Sequence, residues 1–194
     1  MAKTHSDASK KDRSRTIRWV VTVFFVTLVV SGMISLISDE VMASSGLLAA
    51  FAILLGIVFL GIIFDIIGMA VATASEKPFH SMAARKVPGA QEAIRLLRNA
   101  ERVSSICNDV VGDICGVVSG SASATIAALV LTHVDVGWSQ GIPLLMSALA
   151  AGLTVGGKAI GKTFAVKSCT QIVHFVGRLI YALEQPFQKK KNKR

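Results

Sequence analysis

A handful of polar side chains interrupt long apolar stretches of this chain: Asp65, Asp109, Asp113 and Lys158, with Asn108 close by. Ionisable groups at membrane depth are costly and face protein or water rather than lipid, so each is a candidate for chemistry. Asp109 and Asp113 lie four residues apart, which puts them on one face of a helix. Oxygens of this kind suit a hard cation. Magnesium takes carboxylate and carbonyl oxygens in a small octahedral cage and usually keeps some of its water. Asp65 and Asp113, with backbone carbonyls at helix-breaking glycines, meet that requirement. The plainer alternative is that Asp109 is solvated at the cytoplasmic entrance and that an aspartate pairs with Lys158 for structure. For Asp109 alone the plainer alternative is preferred. Gly112, Gly116 and Gly120 recur every fourth position, a stripe of small residues that lets helix backbones approach closely, within one protomer or across a dimer seam.

Other residue types offer little chemistry. His5, His80, His133 and His174 fall in different segments without metal-ligand spacing, and no zinc-protease, nucleophile-elbow or phosphate-loop motif is present. Gly157-Lys158 followed by Gly161-Lys162-Thr163 has the look of a phosphate loop, but no strand precedes it and the glycine spacing is wrong. No enzymatic activity is expected. Cys107, Cys115 and Cys169 are odd in number and lack a paired motif, so they are read as small apolar fillers rather than a disulfide framework.

The elements that hold these residues follow from where charge is missing. Of 194 residues, 52% are hydrophobic and only 17% charged, against about 25% in soluble domains. The net charge of +9 comes from 21 Lys and Arg confined to residues 3–18, 77–102 and 158–194. Cytoplasmic flanks of membrane helices collect such residues. Nucleic-acid binding would need a basic face interleaved with aromatics, and aromatics are 6% of the chain, so no nucleic-acid partner is expected.

Along the chain, residues 1–18 form a basic cytoplasmic tail, read as disordered, with continuation into a helix as the alternative. Residues 19–37 form a first span with Trp19 as an interfacial anchor, and 38–45 an acidic outer loop. An uncleaved anchor is favoured over a signal peptide, whose apolar region is about 7–15 residues. The small residues Ala43-Ser44-Ser45 keep a cleavage site open. A second span covers 46–74, and polar residues 76–102 contain an amphipathic helix over 91–103. A third apolar segment covers 106–131, residues 132–141 form an outer loop, and a fourth span covers 142–160. Residues 163–187 read as an amphipathic helix along the inner interface, and the basic run 188–194 meets anionic headgroups. Both termini then lie inside a multi-pass protein of the cell membrane.

The order of features resembles the membrane domain of the CNNM/CorB/CorC magnesium transporters over about residues 47–187. That family has three core membrane helices, a cytoplasmic helical hairpin and a juxtamembrane amphipathic helix. Phe64-Asp65-Ile66 stands where the family has Phe-Ser-Gly. Leu96-Leu97-Arg98-Asn99-Ala100-Glu101-Arg102 is similar to its Leu-Leu-x-x-Pro-Glu-Arg stretch, and Gly112-Asp113 to its Gly-Asn-Asn. Gly157-Lys158-Ala159-Ile160-Gly161-Lys162-Thr163 is similar to Gly-Glu-x-x-Pro-Lys-Thr. The resemblance implies an all-α integral membrane protein with an additional N-terminal span and its outer loop over 19–45 and a core domain over 46–187. It implies a homodimer that transports a divalent cation, Mg2+ first. The family's ligand positions carry over to Asp65, to Asp113 with Asn108 as alternative, and to Lys158. A protonated lysine cannot ligate magnesium, so the resemblance equally implies a non-transporting membrane or regulatory partner whose ion position Lys158 fills. The family's cytoplasmic regulatory module does not follow in this sequence.

Overall fold

The computed structural model describes the backbone of residues 2–44, 46–133 and 141–191, and side chains over 17–38, 40–41, 46–131 and 141–185. All described regular structure is helical. Helix α1 (Ala2–Ser44) is followed by α2 (Leu47–Thr73), the short α3 (Lys77–Ala84), α4 (Ala90–Arg98) and α5 (Ala100–Ser105). A π-helical turn (Ile106–Val111) leads without a break into α6 (Gly112–His133), and α7 (Gly141–Lys167) and α8 (Cys169–Lys191) complete the chain.

Four helical stretches are long and apolar enough to cross a membrane: Ile17–Ser38, Leu47–Thr73, Ala100–Leu131 and Gly141–Lys167. Their outer surfaces carry large exposed hydrophobics such as Phe24, Phe25, Phe59 and Leu144, as lipid-facing helices do. Hydroxyls within these spans bond back to their own helix. Ser123 Oγ donates to Ser119 O at 2.7 Å and Thr154 Oγ1 to Ala150 O at 2.8 Å, so no partner helix is needed to satisfy them.

Helix α2 is the hub. It packs against α6, α7, the π turn, α5 and α8, while α1 lies mainly against α6. Two apolar clusters form along it. One joins Ala50, Leu54 and Val58 of α2 to Ala122 and Ile126 of α6. The other gathers Ala70, Val71, Phe79, Ala93, Ile94, Leu97, Ala165 and Val173 where the α3–α4 hairpin and α8 meet the base of α2. The buried carboxylate of α2, Asp65, lies in the interval of that helix between these clusters.

Several boundaries differ from those the sequence suggests. Residues 2–16 and the expected outer loop at 38–44 are helical within α1; no proline or glycine interrupts 2–31, so a helix nucleated in the apolar stretch extends at little cost. The amphipathic helix expected over 91–103 breaks at Asn99, whose side-chain Nδ2 donates to Arg95 O at 2.9 Å and whose backbone leaves the helical region. The third span accordingly starts at Ala100 rather than Ile106, and α7 reaches Lys167 rather than residue 160. Most of the expected outer loop at 132–141 and the last residues of the basic tail, 192–194, lie outside the described residues.

The hairpin docks through two glycines. Gly89 has φ +84°, a left-handed conformation, and a Cβ there would stand 2.5 Å from the Arg178 backbone nitrogen. A Cβ on Gly177 would in turn meet the Gly89 carbonyl oxygen. Neither position leaves room for a side chain, which is how α4 closes onto α8 backbone to backbone.

Candidate functional site

One face of α2 carries Gly61, Asp65 and Gly68, at helical spacing. A Cβ on Gly61 would stand 2.9 Å from Cys115 Cβ, and one on Gly68 would meet Asn108 Oδ1 and stand 3.0 Å from Cys107 Cβ. This face of α2 therefore lies directly on the π turn and the start of α6. The adjacent Ile62 and Ile66 fit against Gly157 and Gly161 of α7. Asp65 sits between the two contacts, only 3% exposed.

Two lysines of α7 enter this centre from the other side. Lys162 Nζ stands 3.9 Å from Asp65 Oδ2, an ion pair without a short hydrogen bond. Lys158 Nζ donates to Gly112 O at 3.4 Å, at the junction of the π turn and α6. In that turn the Gly112 N–H bonds five residues back to Cys107 O, which opens the helix and re-aims its carbonyls. Two oxygens in the centre are buried and lack a hydrogen-bond partner: Asp65 Oδ2 and Asn108 Oδ1. Asn108 Nδ2 is engaged by Ser104 Oγ at 3.3 Å.

Asp65, Asn108 and Lys158 thus come to one region of the helix core, and Lys162 joins them. The expected direct pairing of Lys158 with Asp65 or Asp113 is not what the structure has: Lys158 meets a backbone carbonyl, and Lys162 takes Asp65. The reason is helical spacing. Lys158 and Lys162 are one turn apart on the same face of α7, and that turn separates the level of Gly112 from that of Asp65. The spacing was the available signal for Lys162.

Asp113 does not join the group. It is exposed and shares an outward stripe of α6 with Val117, Gly120, Ala124 and Ala128. Asp109 is also exposed and accepts from Ser105 Oγ at 2.7 Å. The glycine stripe divides. Gly112 is buried against Lys158, whereas Cβ atoms on Gly116 and Gly120 would meet nothing within 4 Å. Close packing at those two positions is therefore not supplied within the protomer.

Chemically, the centre offers one carboxylate, one amide oxygen and one carbonyl oxygen, faced by two ammonium groups. Among the described residues no group of three or more His, Cys, Asp or Glu side chains is placed to hold a metal. Comparison of the chain with protein-family models, with curated proteins and with solved structures returns no match.

Proposed function

We propose that this chain is a multi-pass membrane protein built like the CNNM/CorB/CorC membrane domain, in which lysine ammonium groups stand where a transported cation would bind. It then serves as a non-transporting membrane or regulatory partner. The observation that carries this is the approach of Lys162 Nζ to 3.9 Å from the buried Asp65 carboxylate, with Lys158 Nζ 3.4 Å from Gly112 O beside it. Opposite charges in contact offset part of each other's desolvation, and a cation already provided by the chain removes the electrostatic need for another. Both termini and residues 77–102 face the cytoplasm of the cell in this proposal, since all Lys and Arg lie there or beyond residue 158. Helix α8 lies along the inner interface with Phe175, Leu179 and Leu183 exposed to lipid. A homodimer seats its second copy on the α6 stripe of Asp113, Gly116 and Gly120.

A second reading, transport of a divalent cation such as Mg2+, is favoured by the two buried oxygens that accept no hydrogen bond, Asp65 Oδ2 and Asn108 Oδ1. Hard cations seek such oxygens, with water or backbone carbonyls completing the shell. Proteoliposomes loaded with a magnesium-sensitive dye separate the two. The proposal expects no Mg2+ entry above protein-free liposomes. Saturable entry, abolished by Asp65→Asn, would hand the site to the second reading.

A further inference from the structure

Away from the membrane core, a cleft of ≈ 250 Å³ opens between α4 and α8. Glu92 lines it from the first turn of α4, with only 7% of its surface exposed. The amino-terminal end of α4 eases the presence of a carboxylate there. Yet among the described residues no hydrogen bond or ion pair reaches that carboxylate, whereas the neighbouring charges are matched. At the rim Arg95 Nη1 pairs with Glu184 Oε2 at 3.6 Å, tying the two helices together. Asn99 lines the cleft as well, with its Nδ2 committed to Arg95 O. Leu96 and Ile180 supply apolar walls.

We propose that this cleft is a binding site for a small organic cation, a primary ammonium group carried on a short apolar stem. The charges leave one negative unit unmatched, because Arg95 and Glu184 cancel and Glu92 remains. A carboxylate with this little exposure and no partner is poorly solvated, and an ammonium group that reaches it through the cleft supplies charge and hydrogen bonds together. The walls favour an alkyl stem over a bare metal ion. A divalent ion would need about six oxygens, and the cleft presents too few free of Arg95. The site is distinct from the Asp65 centre and does not rest on the function proposed for it.

The test is titration of the full-length chain in detergent with n-butylammonium, followed by ligand-observed NMR against a detergent-only blank. 1-Butanol, matched in length and uncharged, is titrated in parallel. Wild type is expected to bind n-butylammonium saturably and 1-butanol no better than the blank. Glu92→Gln should weaken binding about tenfold or more, since it removes a charged hydrogen-bond acceptor while keeping its shape. Glu184→Gln, which removes the partner of Arg95, should weaken it several-fold by freeing the Arg95 guanidinium to compete for Glu92. The proposal is overturned if wild type binds the amine no better than the blank does. Equal binding by wild type and Glu184→Gln, or equal binding of amine and alcohol, overturns it as well.

Discussion

Gly68 stands opposite the Asn108 side-chain carbonyl and the Cβ of Cys107, the latter 3.0 Å from where its own Cβ would be. The Cys107 Cβ is fixed by the helix backbone, and the Asn108 amide is held by its bond to Ser104 Oγ. Gly68→Ala should therefore destabilise the protein by about 1–3 kcal/mol, the usual cost of forcing a methyl into a packed site. Gly56→Ala is the control, because nothing lies within 4 Å of a Cβ there. Thermal unfolding in detergent should separate the two variants, and equal melting temperatures would mean that α2 does not lie this close to the π turn. At this scale the sequence exposes some of the site and hides the rest. A lone Asp65 among apolar residues is visible to anyone counting charges in spans, since burial of a carboxylate is rarely accidental. Its partner is not visible: with two lysines a turn apart, only the level at which α7 crosses α2 decides which one reaches Asp65.

Helix α3 ends in a Schellman motif closed by an unusual residue. Lys86 has φ +56°, its N–H donates to Ala83 O at 2.9 Å, and the Val87 N–H donates to Met82 O at 3.0 Å. Glycine is the residue suited to that left-handed position, and an L side chain there costs roughly 1–2 kcal/mol. Lys86→Gly should thus stabilise the hairpin by about 0.5–1 kcal/mol after glycine's own entropic cost. Chemical denaturation or hydrogen exchange of residues 77–98 would detect it, and a loss of stability would contradict the motif. The membrane helices were legible because apolar runs of this length have few alternatives. Their inner ends were not. The π turn at Ile106–Val111 contains no proline or glycine, so nothing in the sequence sets it apart from an ordinary helix turn. The break at Asn99 depends on a side-chain bond to Arg95 O that competes with the helix, and residue type alone does not determine when that bond wins.

For the whole molecule, Gly116 distinguishes packing within a protomer from packing between protomers. With no neighbour inside 4 Å, Gly116→Leu should leave the unfolding free energy of the monomer unchanged to within about 0.5 kcal/mol, as for other open sites. If the α6 stripe seats a second copy, the same change converts dimer to monomer in light scattering from mild detergent. A variant that unfolds outright would show that the stripe is filled inside the protomer after all. Orientation is tested separately by a cysteine at Ala84, on the hairpin flanked by Arg85 and Lys86. In intact cells it should resist an impermeant thiol reagent and react only after permeabilisation; efficient labelling from outside would reverse the topology. The central claim is that lysines fill the cation position at Asp65, and magnesium-dependent melting in detergent tests it most directly. Wild type should show no shift with Mg2+. Lys158→Ala/Lys162→Ala, which leaves Asp65, Asn108 and the Gly112 carbonyl without their ammonium partners, should gain a saturable stabilisation, about 2.7 kcal/mol at a hundredfold excess over its dissociation constant. Stoichiometric Mg2+ binding and stabilisation of the wild-type protein would contradict the account.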